Sequence, residues 1–214
     1  MAGCCNPRGC DRFFGSRFAK RMAKRYRKRG LDRTARRMVA FLEQRGVGDA
    51  TVLEIGGGVG EIQLELLKRG AARATNLELS PAYDQEARAL LREAGLEQRS
   101  DRRIHDIATG GDGIEPADVV VLHRVVCCYP DYERLLTAAA EHSRRLLVFS
   151  YPPRNAITRL IVAVQNAFFG VLRREFRTFV HPPSAMLAVL EQRGLRPTFA
   201  HHGATWQVAG LERA

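Results

Sequence analysis

The chain lacks a long apolar run, which is the first requirement of a membrane-spanning helix. Its most hydrophobic stretch covers residues 156–172 and is interrupted by Arg159, Gln165 and Asn166. A span needs about 20 apolar residues in succession, so none is predicted. The opening residues, Met-Ala-Gly-Cys-Cys-Asn-Pro, lack the apolar core of a secretory signal and the glycine at position two that myristoylation requires. These absences favour an intracellular, cytoplasmic protein.

Cysteine is scarce, and its few positions form two tight groups. The five cysteines are Cys4, Cys5, Cys10, Cys127 and Cys128. An odd number grouped in this way is a poor disulfide framework, and a reducing cytosol would keep the side chains as thiols. Structural zinc sites usually contain Cys-x-x-Cys pairs, which the chain lacks, so no metal site is predicted. Thiolates are soft ligands, however, and binding of a metal or metalloid stays open as an alternative.

Acidic residues are scarce in only one part of the chain. Residues 1–46 hold 14 Lys+Arg against 3 Asp+Glu, whereas residues 47–214 hold 20 of each. The formal net charge of +11 therefore belongs to the first part. We accordingly divide the chain into a basic helical N-terminal extension over 1–46 and a neutral domain over 47–214.

The extension contains the pattern of two helices. Large apolar side chains recur every four residues within 11–29 and predict a helix with one apolar stripe, formed by Phe14, Phe18, Met22 and Tyr26. Asp32 is a suitable N-cap for a second helix. The first helix could cover the active site as a lid, lie on an anionic membrane surface, or bind nucleic acid through phosphates. The lid is the preferred interpretation, and nucleic acid is the least favoured.

After Gly46 the pattern changes to short apolar strands that alternate with helices of about ten residues. Strands are predicted at 51–55, 74–79, 103–105, 118–122, 145–151, 196–201 and 205–211. Helices are predicted at 61–69, 81–95, 131–142, 155–173 and 184–193. This alternation predicts a doubly wound, mostly parallel α/β sheet of seven strands, with an antiparallel hairpin at one edge.

The turn after the first strand carries the strongest motif, Glu54-Ile-Gly56-Gly-Gly58-Val-Gly60. Glycines between a strand and a helix let a ligand approach the backbone at the carboxyl end of the sheet. A dinucleotide site would need Gly-x-Gly-x-x-Gly, and that spacing fails here. Glu61 in the first helical turn would also repel a pyrophosphate.

The observed pattern, acid-x-Gly-x-Gly-x-Gly, resembles the first motif of class I S-adenosylmethionine-dependent methyltransferases, which have a Rossmann-like fold. The resemblance implies S-adenosyl-L-methionine as the cofactor. It also implies that Glu54 lies near the cationic amino group of the methionine moiety. Gly56, Gly58 and Gly60 would then leave room for the sulfonium ligand.

Two further elements match the same family. Glu78 ends the second strand, followed by Leu79, where a carboxylate can accept both ribose hydroxyls. Nicotinamide enzymes also place an acid there, so Glu78 alone does not discriminate between the two cofactors. After the third strand, the resemblance implies that Asp106 accepts from the adenine amino group and that Ile107 packs on the ring.

His123 follows the fourth strand. In this family, the carboxyl end of that strand faces the methyl group. The resemblance leaves two roles for His123: a cofactor-binding wall residue, or a catalytic base that takes the acceptor's proton. A base is needed only when the acceptor atom is protonated. Tyr129 is a weaker candidate for contact with the acceptor.

The remainder of the chain is loosely similar to the magnesium-protoporphyrin O-methyltransferase subgroup. The similarity rests on the apolar segment 155–181 and the closing strand after Trp206. It implies a small, apolar acceptor methylated on oxygen. The alternatives are a nucleic-acid methyltransferase that uses the basic arm, or a non-catalytic cofactor-binding protein at a membrane surface. No obligate protein partner is evident from the sequence.

Overall fold

The structure is a computed structural model that describes residues 14–111 and 113–214. The strands in this part are β1 Thr51–Ile55, β2 Arg73–Glu78, β3 Ser100–Ile104, β4 Ala117–Leu122, β5 Ser143–Tyr151, β6 Leu195–His202 and β7 Gln207–Arg213. The helices are α1 Ser16–Arg29, α2 Arg33–Gln44, α3 Glu61–Lys68, α4 Asp84–Glu93, α5 Tyr132–Glu141, α6 Ala156–Val171 and α7 Pro183–Glu191. Single 3₁₀ turns lie at Pro81–Tyr83, Glu97–Arg99 and Val126–Cys128.

The strands form one sheet in the order β3-β2-β1-β4-β5-β7-β6. Strands β1 to β5 run parallel, and β7 is antiparallel to both β5 and β6. The predicted doubly wound sheet and its edge hairpin are therefore confirmed. The strand order reverses between β1 and β4, and ligands of open α/β sheets bind at the carboxyl side of such a reversal.

Helix α2 packs against the antiparallel edge of the sheet. The Asp32 carboxylate accepts from the Ala35 N–H at 2.9 Å, so the predicted N-cap is confirmed. Phe41 is buried, stacks on Phe199 with ring centroids 5.1 Å apart, and lies directly over Gly210 of β7. A Cβ at Gly210 would come within 2.6 Å of the Phe41 ring, so glycine leaves the space that this ring fills.

Helix α1 begins at Ser16, and residues 11–13 of the predicted helix lie outside the described residues. Ala19 and Ala23 are fully buried, and their small side chains let α1 lie close to the rest of the fold. Both belong to the same buried cluster as Val52 of β1 and Val148 of β5. The described part of the basic extension thus shares a hydrophobic core with the sheet.

Among the described helices, none is both long and apolar enough to cross a membrane. Helix α6 contains the most apolar segment of the sequence, yet within it only Phe169 is buried.

Candidate functional site

A pocket lies where the carboxyl ends of β1, β2 and β4 meet, beneath the first turns of α1. Eight of the sequence-predicted site residues line it, namely Glu54, Gly56, Gly58, Glu78, Leu79, Asp106, Ile107 and His123. The ninth, Gly60, is the N-cap of α3 and does not line the pocket. The folded chain therefore brings together residues from four separate strand ends.

The glycine turn has a backbone conformation that would be strained for residues other than glycine. Gly56, Gly58 and Gly60 have φ values of +63°, +56° and +76°, in the left-handed region that favours glycine. A Cβ at Gly56 would lie 2.6 Å from Val125, and one at Gly60 would lie 2.5 Å from the Gln63 amide. Gly60 therefore shapes the turn, while Gly56 and Gly58 form the pocket wall.

Glu54 is a buried carboxyl on the floor of this turn. It is 1% exposed, and its Oε2 accepts from the Gln63 N–H at 3.1 Å. Burial raises the pKa of Glu54 to about 8, with Glu61 adding to the rise and the Gln63 N–H opposing it. A cationic group placed beside Glu54 would restore its charge.

Glu78 joins the end of β2 to the glycine turn. One carboxylate oxygen accepts from the Gly58 N–H at 2.8 Å, and the other accepts from Leu79 N–H at 2.8 Å and Ser80 N–H at 3.2 Å. Arg102 supports the same turn from β3, since it donates to the Gly58 carbonyl at 2.8 Å and to Asp84 at 2.6 Å. The glycine turn is therefore held on both sides by charged groups.

Asp106 lies across the pocket from Glu78. Its carboxylate accepts from the Ala108 N–H at 3.1 Å and from the Tyr129 hydroxyl at 3.0 Å. Ile107 beside it is buried. Tyr129 thus contacts the predicted adenine-binding acid, a partner that the sequence did not reveal.

His123 has polar neighbours on both ring nitrogens. Its Nδ1 lies 3.0 Å from the Ser150 hydroxyl, and its Nε2 lies 3.6 Å from Oδ2 of Asp32. The Ser150 oxygen already accepts from the Arg124 N–H at 2.9 Å, so its own proton is available for His123 Nδ1. The favoured neutral tautomer consequently carries its proton on Nε2, facing Asp32.

The pKa values of this pair move in the same direction for different reasons. Burial lowers the pKa of His123, and Arg124 lowers it further, against a smaller upward effect of Asp32. Burial alone would raise the pKa of Asp32, but the nearby His123 ring, the Ala35 N–H and the Arg124 guanidinium outweigh it, so the pKa falls. The site therefore holds a neutral imidazole beside an ionised carboxylate at neutral pH.

Arg124 completes this group. Its guanidinium donates to Asp32 at 2.7 Å and lies over the Trp206 ring, 4.9 Å from the centroid. Its φ is +60°, which is unusual for a residue other than glycine and costs of order 1–3 kcal/mol. Such strain is typical of positions where a side chain must be aimed at a ligand.

Helix α1 forms the roof of the pocket. Three residues of the predicted apolar stripe, Phe14, Phe18 and Met22, line it. The fourth, Tyr26, is buried and donates to Glu65. Arg25 of the same helix donates to Glu61 at 3.3 Å. The stripe is thus occupied within the chain, as the lid interpretation expects.

Only two of the five cysteines can be placed. Cys4, Cys5 and Cys10 lie outside the described residues. The sulfurs of Cys127 and Cys128 are 3.6 Å apart, and Cys128 lines the pocket. Within residues 14–111 and 113–214, no three His, Cys, Asp or Glu side chains are grouped as metal ligands would be.

Several site residues carry little signal in the sequence. Asp32 is recognisable only as a helix cap, and Ser150 as one polar residue in an apolar strand. Arg124 follows His123 directly, but nothing in the sequence reveals its left-handed backbone. Their roles depend on contacts between residues that are far apart in the chain, so only the fold brings them together.

Comparisons with known proteins place this site in a family. Residues 22–198 match the model of a family described as a methyltransferase domain. Magnesium protoporphyrin IX methyltransferase from Synechocystis PCC 6803, with bound SAH, is a similar solved structure: TM-score 0.74, 18% identity, covering 95% of this chain and 97% of that one. An O-methyltransferase family protein from Burkholderia thailandensis has a TM-score of 0.70 at 19% identity, covering 93% of this chain and 60% of that one.

A third similar structure is named as a C-methyltransferase instead of an O-methyltransferase. Geranyl diphosphate C-methyltransferase from Streptomyces coelicolor A3(2) has a TM-score of 0.64 at 15% identity, covering 83% of this chain and 78% of that one. At these identities the likeness concerns the fold, while the family match extends over most of the sequence.

Proposed function

The chain belongs to the methyltransferase domain family and is an S-adenosylmethionine-dependent methyltransferase, and from that premise we propose that it methylates an oxygen atom of a small, apolar molecule. The cofactor supplies an activated methyl group on a sulfonium, so much of the work left to the protein is positioning and exclusion of water.

The pocket suits a ligand that is cationic at one end and rich in hydrogen-bond donors. Glu54, Glu78 and Asp106 each place a carboxyl in its wall, and the glycine turn leaves the backbone open to close approach. We assign Glu54 to the cofactor's amino group, Glu78 with Leu79 to the ribose, and Asp106 with Ile107 to the adenine. Gly56 and Gly58 border the sulfonium, and Gly60 maintains the turn.

One observation carries the proposal of a polar acceptor atom. Four buried polar atoms near Asp32 have no hydrogen-bond partner among the described residues: Arg25 Nε, Glu61 Oε2, His123 Nε2 and Arg124 Nε. Buried polar atoms without partners are rare in proteins and call for an explanation, such as a bound ligand. Three of these residues, Glu61, His123 and Arg124, line the pocket. A polar group of the acceptor would satisfy them.

The remaining wall favours an apolar body for the acceptor. Phe14, Phe18 and Met22 of the roof face Val125 and Leu135 across the pocket. An acceptor with one oxygen-bearing end and an apolar remainder matches this division. The roof also excludes water from the reacting atoms.

We propose His123 as the catalytic residue that contacts the acceptor oxygen. With Nδ1 bound to Ser150, Nε2–H is the group available to a ligand, and Asp32 orients the ring as a positioning residue. A hydrogen-bond donor suits an oxygen that is already anionic, such as a carboxylate, since such an acceptor needs no base. Arg124 would complement the same negative charge.

Nucleic acid remains the weaker alternative. Its binding through α1 would use aromatic side chains for stacking, but three of the four stripe residues line the pocket and the fourth is buried. Exposed basic side chains of α1, such as Arg17 and Arg21, would still be available for phosphates. No observation in the described residues favours that function over the small-molecule one.

Incubation of the protein with a metabolite extract and a methyl-labelled cofactor tests the proposal. We expect the label in a small, organic-soluble product. Release of labelled methanol by mild alkali would identify a methyl ester and hence a carboxylate acceptor. Label that stays bound to nucleic acid, or a product labelled on carbon or nitrogen, would contradict the proposal. A His123→Gln variant should lose most of the labelling, while the exposed control His202→Gln should retain it.

A further inference from the structure

Helix α6 presents its apolar side chains to the solvent instead of to the core. Six of them are between 59% and 81% exposed: Ile157, Leu160, Ile161, Val164, Phe168 and Val171. At 3.6 residues per turn they fall within an arc of about 100°. Soluble proteins rarely leave so many large apolar groups together on one face, and such a patch marks a contact surface. We call these six residues the α6 face.

The side of α6 opposite this face is turned toward the protein, where Phe169 is buried and Asn166 is half-buried. The Asn166 side chain donates to the Thr178 carbonyl at 2.8 Å and accepts from the Thr178 N–H at 3.0 Å. This pair ties α6 to the segment that follows it. The helix is therefore held with its apolar side outward, the reverse of an ordinary surface helix.

The segment that carries the α6 face is positively charged. Residues 154–177 contain five arginines and one acid, Glu175. Arg159, Arg173 and Arg174 are exposed. An apolar helix face in an arginine-rich segment matches an anionic lipid surface, which accepts the apolar groups among its chains and the arginines among its headgroups.

The same charges argue against a second copy of the chain on this face. In a symmetric dimer the same patch of each copy would be in contact, so the two arginine-rich segments would face each other. Residues 1–13 of this chain contain only Met1 and Phe13 as large apolar side chains, too few to cover six. Anionic lipid is thus the occupant that the charges favour.

Helix α6 is linked to the pocket through its buried side. Phe169 of α6 contacts Phe176, with ring centroids 5.9 Å apart, and Phe176 contacts Phe14 at 5.1 Å. Phe14 lines the pocket beneath α1. Arg17 and Arg21, near the N-terminal end of α1, are exposed.

We propose that the α6 face docks on an anionic membrane surface and brings the pocket to an acceptor dissolved in that membrane. The docking rests on the α6 face and its arginines alone. The origin of the acceptor rests on the proposed function. This assignment differs from membrane binding through residues 11–29, because the apolar stripe of α1 is used within the pocket.

Co-sedimentation with lipid vesicles tests the docking. The full chain, without cofactor, is mixed with vesicles of phosphatidylcholine, with or without phosphatidylglycerol. We expect the chain to sediment with the phosphatidylglycerol vesicles and to dissociate as salt rises. Leu160→Gln/Val164→Gln should weaken this binding by about tenfold or more, because two buried apolar contacts are lost. Ile104→Gln, an exposed apolar side chain elsewhere, should bind as the wild type does.

Charge reversal provides the second arm. Arg173→Glu/Arg174→Glu should reduce binding to phosphatidylglycerol vesicles, and the control Arg196→Glu should not. Wild-type chain that stays in the supernatant would overturn the docking, as would equal sedimentation of Leu160→Gln/Val164→Gln. A wild-type dimer that this double variant converts to a monomer would assign the face to a second copy instead. Cofactor binding, measured separately by calorimetry, should be unchanged in every variant. A failure of the docking can therefore be distinguished from a failure of the proposed function.

Discussion

Glu54 is a buried carboxyl in the pocket wall, and a cationic ligand beside it would change its charge state. Its pKa of about 8 means that it is largely protonated in the free protein at pH 6. A cationic amino group beside it would favour the ionised form, so binding should release a proton. We therefore expect affinity for S-adenosylhomocysteine to rise between about pH 6 and pH 8.

Calorimetry in buffers of different ionisation enthalpy measures this proton release. Glu54→Gln should abolish the release and flatten the pH dependence of affinity. A release that is unchanged in Glu54→Gln would show that another group titrates, and would contradict the assignment of Glu54.

The same carboxyl has a predictable effect on stability. A raised pKa in the folded state means that the folded chain binds more protons than the unfolded chain between about pH 4.5 and pH 8. The free energy of unfolding should therefore fall across this interval as pH rises. Denaturation of Glu54→Gln at several pH values should show a smaller decline than the wild type shows.

Asp32 and Asp131 form a matched pair for testing the His123 environment. Both cap helices, accepting from Ala35 at 2.9 Å and from Arg134 at 3.0 Å, and an Asn at either position can still cap. Only Asp32 also approaches His123. Asp32→Asn should lower the pKa of His123 further, because the nearby negative charge is removed.

Titration of the His123 ring by NMR measures this shift. Trp206 fluorescence should change in the same variant, since Arg124 loses its carboxylate partner. Asp131→Asn should leave both signals unaltered. A His123 pKa that is equal in Asp32→Asn and the wild type would exclude Asp32 as the positioning residue.

Helix α1 is the element whose role is most directly testable. Phe14 lines the pocket and lies 6.4 Å from the Tyr83 ring, beside the glycine turn. If α1 is the roof of the occupied site, Phe14→Ala should weaken binding of S-adenosylhomocysteine by several-fold, because the ligand then remains partly exposed to water. The control is Arg17→Ala, an exposed residue in the first turn of α1. Equal affinity of both variants for S-adenosylhomocysteine would argue against α1 as the roof of the occupied site.

The sequence predicts the elements well where local pattern decides them. The strand at 51–55 and the helix that begins at Glu61 are confirmed, since a glycine turn separates two different periodicities. The third strand is the exception: only 103–105 is predicted, whereas β3 spans Ser100–Ile104. It contains Asp101, Arg102 and Arg103, whose charges hide the strand, although Arg102 contacts the glycine turn.

The candidate site likewise contains residues whose meeting can be predicted from the sequence and residues whose contacts cannot. Glu54, Glu78 and the glycines follow strands directly, so their meeting can be predicted from a parallel sheet. The contact of Asp32 with His123 joins residues on different elements, 91 positions apart in the chain. Nothing local encodes such a contact, and neither does the outward direction of the α6 face.

At the scale of the whole molecule, the basic extension and the neutral domain share one core. This predicts a single cooperative unfolding transition even though the charge changes sharply at residue 46. Phe41→Ala in α2 should lower the free energy of unfolding by about 3–5 kcal/mol, because it leaves a cavity over β7. The chain has one tryptophan, Trp206, so its fluorescence reports on the sheet edge and the site.

Circular dichroism and Trp206 fluorescence should give coincident transitions in the wild type and in Phe41→Ala. A first transition seen only by circular dichroism, with Trp206 unaffected, would indicate that residues 1–46 unfold as a separate unit.

We assign the glycine turn and its acids to the binding of S-adenosylmethionine. The most direct test is calorimetric titration of S-adenosylhomocysteine into the wild type, Glu78→Ala and the exposed control Glu97→Ala. Binding of one equivalent is predicted for the wild type and the control. Glu78→Ala should bind about ten- to a hundredfold more weakly, as expected when hydrogen bonds to a charged group are lost. Absence of binding to the wild type, or equal binding by Glu78→Ala, would contradict the account.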